Sequence, residues 1–160
     1  MHKNVTYFIN SASTAKALAI NEIVELLESF GVPSQGNKVT LAWDTTADLD
    51  FFVQNLNAPG EVTSHEDTDT YAAKLVLDQQ GLTKEKHVEN IKLPEEGGNY
   101  AIFVNLYTLN DDEIEVPFTV VTQINDKYQK FSKAWNVALM GEDNSDGDLA
   151  KMVKIGTISW

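Results

Sequence analysis

From Lys38 onward, apolar and polar positions alternate in short runs. Val39, Leu41 and Trp43 alternate with Thr40, Ala42 and Asp44, and Leu49, Phe51 and Val53 alternate with Asp48, Asp50, Phe52 and Gln54. A period of two places one of these sets on a buried sheet face. Further apolar or β-branched runs follow at "YAAKLVLD", "HVENIKL", "NYAIFVNLYTL", "VPFTVVTQI" and "MVKIGTISW". Turn chemistry separates them: "NAPG", "QQG", "PEEGGN", "LNDDE", "IND" and "EDNSDGD". The pattern predicts a mainly β protein, an antiparallel β-sandwich of about seven to nine strands with one N-terminal α-helix.

The helix comes from the segment before Lys38, where the period changes. "VTYFIN" is a short strand, and "SASTAKALAINEIVELLESFGVP" then carries both helix boundaries. Ser11 or Ser13 is the expected cap, and Gly31 followed by Pro33 the stop. Ile20, Ile23, Val24, Leu27 and Phe30 form one apolar stripe, with Glu22, Glu25 and Glu28 off it. The stripe docks the helix on its own domain or, on the alternative reading, on a partner. Residues 1–36 are therefore read as a strand-and-helix extension and 37–160 as the sandwich, with "PSQGNK" (33–38) as the expected hinge. "KYQKFSKAWNVAL" fits both periods: a strand with Phe131, Trp135, Val137 and Leu139 on one face, favoured by its context, or a helix.

A chain of 160 residues that is 42% hydrophobic and 22% charged has enough apolar surface for one folded domain. No apolar run is long enough to span a bilayer, and "MHKNVTYFIN" lacks the features of a secretory signal. The expected setting is therefore cytoplasmic or virion-associated. There is no cysteine, which excludes thiol catalysis and thiolate metal sites. The net charge of −12 and the lack of any arginine disfavour nucleic acid and anionic membrane. Cations or a basic protein surface are better suited partners.

If turns alternate between the two ends of an antiparallel sandwich, one end collects most of the acid. That end receives Asp44, Asp48, Asp78, Glu85, Asp111, Asp112, Glu113, Glu142, Asp143, Asp146 and Asp148. Asp48 and Asp50 project on one strand face about 6.5–7 Å apart at a rise of ~3.3 Å per residue. At an effective dielectric near 20 they repel by roughly 2 kcal/mol. A divalent cation would convert that cost into coordination energy. Calcium suits an all-oxygen set, whereas zinc would want thiolate or histidine, and His2, His65 and His87 lack ligand spacing. The alternative is that these acids form a solvated face that keeps strand edges apart. "GEDNSDGDLA" imitates an EF-hand loop, but its register puts Val153 where the bidentate glutamate belongs, so it reads as a surface turn.

"VTLAWDTTADLDFFVQN" resembles the strand-turn-strand opening of the YfaP-like β-sandwich domains of bacteria, with their tryptophan-aspartate pair and aspartate-leucine-aspartate run. "LVLDQQGLTKEKHVENIKL" and "GGNYAIFVNLYT" extend the resemblance, which covers about residues 38–124. It implies that Asp44, Asp48, Asp50, Asp78 and Glu89 occupy the family's acidic positions and serve as metal ligands. Gln79 and Gln80 replace a frequent second aspartate, and His87-Val88 replaces a glycine-proline pair, which implies a weaker site.

The chain has no G-x-S-x-G, H-E-x-x-H or P-loop, so it does not read as an enzyme. The expected function is a non-catalytic structural or interaction module, calcium-stabilised. It would bind a protein partner, or form a homo-oligomer or a subunit of an assembly such as a phage particle. The alternative is a carbohydrate-binding module using aromatics among Trp43, Tyr71, Tyr100, Tyr107, Tyr128, Trp135 and Trp160, recognisable by coplanar exposed rings.

Overall fold

The period-two runs become strands. A computed structural model describes residues 19–83 and 85–160, and the backbone of residues 5–9. In chain order the elements are β1 (Val5–Ile9), α1 (Ile20–Ser29), β2 (Lys38–Trp43), β3 (Asp48–Asn55), β4 (Val62–Thr63) and β5 (Lys74–Leu77). They continue as β6 (His87–Lys92), β7 (Asn99–Thr108), β8 (Glu115–Ile124), β9 (Lys127–Asn136), α2 (Val137–Met140) and β10 (Val153–Ser159).

The strands form a six-stranded sheet, β1-β9-β8-β2-β6-β5, and a four-stranded sheet, β10-β7-β3-β4. The alternating positions decide what lies between them. Val39, Leu41 and Trp43 of β2, Ile91 of β6 and Trp135 of β9 share one core with Leu49, Phe51 and Val53 of β3 and Ile102, Val104 and Leu106 of β7. The fold is thus a β-sandwich with antiparallel pairing throughout except at β1, which pairs parallel to β9 with Val5 beside Tyr128. Asn125 and Asp126, both at positive φ, turn β8 into β9, a conformation these residues accept readily.

The helix packs on its own domain. Ile23 and Leu27 lie with Ala42, Val88 and Val121 on the outer face of the six-stranded sheet. Its C-terminus closes as the sequence predicts: Gly31, at φ +82, donates to Glu28 O, and Val32 donates to Leu27 O. At the start, the Ala19 amide donates to Glu22 Oε1 at 3.2 Å, while Ser11 and Ser13 lie outside the described residues. Within the expected hinge segment, three hydrogen bonds reach the sandwich. Ser34 O accepts from Gln123 Nε2, the Asn37 amide donates to Glu95 Oε2, and Asn37 Oδ1 accepts the Asn125 amide, each at 2.8 Å.

Two expectations are corrected. The strand reading of 127–140 holds only to Asn136, whose side chain accepts the Leu139 amide and opens the single helical turn α2. Leu139 therefore leaves the core face on which Trp135 is buried. The 141–148 turn does not stay at the acidic end but folds over the outer face of the four-stranded sheet. There the Asn144 amide donates to Leu106 O, and Asn144 Nδ2 donates to Asn105 Oδ1 at 2.8 Å. Phe52, Phe103 and Met152 form a small apolar cluster on this face.

Candidate metal centre

Three acidic turns do meet at one end, and Thr46 joins them. Its single hydroxyl proton is within reach of Asp111 Oδ2 at 2.6 Å and Glu113 Oε1 at 3.0 Å, and its carbonyl accepts from Asn110 Nδ2 and the Leu82 amide. Gly81 makes this approach possible: at φ +74, a Cβ there would stand 2.2 Å from Ala47 O.

Beside this corner, β4 is two residues long and pairs only with Val53 and Gln54. The next amide of β3 on that edge, Phe51, has no strand partner there. Glu89 supplies the acceptor. It lies on β6 opposite Leu41 and reaches across the seam between the sheets, where Oε2 accepts the Phe51 amide at 2.7 Å. Asp50, opposite Asn105, lies beside this bond, and Asp78 follows the end of β5.

One oxygen from each of Asp50, Asp78 and Glu89 lies within 4.8 Å of the others. Asp50 is 4% exposed and Glu89 1% exposed, whereas Asp78 is open to solvent. Asp50 Oδ2 and Glu89 Oε1 are buried without a hydrogen bond. Two oxygens on opposite sides of a calcium ion stand about 4.6–5.2 Å apart, so an ion of that size can touch all three carboxylates.

The electrostatics follow from this crowding. Burial, then the charges of Asp50 and Asp78, push the Asp48 carboxyl up to about 7. Burial, then Asp78 and Glu66, push Asp50 up to about 7. Glu89 is raised well above the usual carboxylate range, first by burial, then by a hydrogen bond with the Asp78 carboxyl and by the charges of Asp50 and Asp78; the Phe51 amide opposes this. Without a cation, the cluster retains protons that isolated carboxylates would have lost at neutral pH.

Of the five acidic positions singled out in the sequence, Asp50, Asp78 and Glu89 converge and half-buried Asp48 stands beside them. Asp44 is exposed and lies outside the group. His65 is an addition. Its Nδ1 stands 3.5 Å from Asp50 Oδ2, and its ring meets Phe52 and Tyr107 edge-on at 6.0 and 6.1 Å. No local motif marks it, because it reaches Asp50 only through the turn that follows β4. No protein-family model, curated protein or solved structure matches the chain.

Proposed function

We propose that the protein is a non-catalytic structural or interaction module whose sandwich seam is pinned by a divalent cation, calcium by preference. Asp50, Asp78 and Glu89 would hold the ion, with Asp48 alongside. The observation that carries this reading is the convergence of one oxygen from each of Asp50, Asp78 and Glu89 within 4.8 Å, two of the three carboxylates being buried, with His65 Nδ1, 3.5 Å from Asp50 Oδ2, the one cationic group paired with them among the described residues. Burying carboxylates this close together is costly unless a charge of opposite sign compensates, and a divalent cation would face all three at once. The resemblance to YfaP-like sandwiches supports the same assignment.

A glycosidase would present its two carboxylates to a sugar in an open cleft. Here Asp50 and Glu89 are inside the protein, which favours a structural role. The rings needed for a sugar platform are engaged elsewhere: Trp43 and Trp135 are in the core, and Tyr100 stacks on Trp160 at 5.8 Å. Among the described residues, the exposed rings Phe30 and Tyr107 stand on different elements. As an interaction module the chain would serve as a subunit of a larger assembly, such as a phage particle. Light scattering on the eluted protein tests whether it assembles with a fixed copy number.

The test of the cation site is thermal unfolding with excess chelator and then with millimolar calcium. A hundredfold excess over the dissociation constant stabilises by about 2.7 kcal/mol, a rise of several degrees. The double variant Asp48→Asn, Asp50→Asn should lose that rise. An unchanged midpoint in the parent protein would leave the cluster as a protonated, ion-free seam.

A further inference from the structure

At the open end of the β8–β9 hairpin, two aliphatic side chains stand in water. Ile114 is 84% exposed and Leu139 is 85% exposed, the two most exposed large hydrophobic side chains among the described residues. Their segments are joined, since the Val137 amide donates to Ile114 O at 3.1 Å. Beside them lies a cavity of about 360 Å³ lined by Glu115, Asn136, Leu139, Met140 and Val153, together with Lys133. Glu115 Oε1 is buried in that lining and takes no hydrogen bond, and Lys133 makes no ion pair with it among the described residues. Exposed acids adjoin these segments in sequence: Asp112 before Ile114, Glu142 and Asp143 after α2.

We propose that this face docks a basic segment of another protein, one aliphatic side chain resting on Ile114 and Leu139 and a lysine or arginine of the same segment reaching Glu115. The apolar pair supplies burial and the half-buried Glu115 carboxylate, one oxygen of which takes no hydrogen bond, supplies a partner for a cationic head. The acidic surround attracts positive charge, whereas a second copy of this chain, also at −12, would be repelled. A charged hydrogen bond to a half-buried carboxylate is also the kind of contact that fixes register in an interface. The inference rests on the interaction-module reading but not on the cation site, which lies on a different seam of the sandwich.

The experiment is an amide-resolved NMR titration of the calcium-supplemented full chain with the capped peptide Leu-Lys-Leu-Lys-Leu-Lys. The matching Leu-Glu peptide and a Gly-Lys peptide of equal charge serve as controls. Saturable shifts centred on residues 114–115 and 136–140 are expected with the first peptide only. Affinity should fall at least tenfold in the double variant Ile114→Ser, Leu139→Ser, and severalfold in Glu115→Gln. Ile114 and Leu139 are exposed, so the double variant should fold as the parent does. Equal binding of the Gly-Lys peptide, shifts spread over every acidic loop, or unchanged affinity in the variants would overturn the proposal. So would self-association abolished by the double variant, which would assign the face to a second copy. Loss of the docking face with an intact calcium response would leave the cation assignment standing.

Discussion

Glu89 Oε2 accepts the amide of Phe51 at 2.7 Å, and this bond joins β6 of one sheet to the uncovered edge of β3 in the other. The same carboxyl faces Asp50 and Asp78. One side chain thus replaces the ladder partner that β4 is too short to provide, and brings negative charge into the seam. The two roles separate under mutation. Glu89→Leu leaves the Phe51 amide buried without an acceptor and should cost about 1–3 kcal/mol in denaturant unfolding. Glu89→Gln keeps the acceptor, so it should fold at least as well as the parent in chelator and show little calcium response.

Metal-free stability should fall as pH rises. Asp48 and Asp50 titrate near 7 in the folded protein, and Glu89 above its usual range, against about 3.9–4.3 in an unfolded chain. Between those values the folded state binds more protons than the unfolded state, so the slope of unfolding free energy with pH is negative. The loss begins above the ordinary carboxylate range and continues through about pH 7. Thermal melts in chelator should give a lower midpoint at pH 8 than at pH 5. With saturating calcium this decline should flatten, because the ion takes the place of the protons.

Gly81→Ala should disrupt the acidic corner. The residue sits at φ +74, and its new methyl would meet the backbone oxygen of Ala47 at 2.2 Å, an atom with no side-chain freedom to yield. A loss of about 2–3 kcal/mol is expected in equilibrium unfolding. Gly31→Ala is the control: it shares a positive φ but meets nothing within 4 Å, so it should cost less.

A buried amide pair helps hold the 141–148 segment. Asn144 donates to Asn105 Oδ1 and to Asp148 O, and Asn105 Nδ2 donates back to Asn144 O. Asn144→Ala strands the Asn105 side-chain oxygen and should cost about 1–3 kcal/mol. Hydrogen exchange should quicken at the Asn144 and Gly147 amides while the amides of β2 and β8 keep their protection.

What could be read from the sequence was local. Alternation in 39–43 and 49–53 placed Val39, Leu41, Leu49 and Phe51 on core faces, because a strand's side-chain period requires no knowledge of its neighbours. The apolar stripe and Gly31 located α1 and its end for the same reason. Where two periods overlapped, at 127–140, local pattern could not show that Asn136 would cap a helical turn. Tertiary structure alone decided that β1 runs parallel to β9, since strand direction depends on how the connection returns. It also decided which acids meet. Asp44 and Asp50 are close in sequence, yet Asp44 turns to solvent while Asp50 joins Asp78, just after β5, and Glu89 on β6. Their approach, and that of His65, depends on the stacking of two sheets and on β4 ending where it does. Those are distances between segments, and residue spacing along the chain carries no record of them.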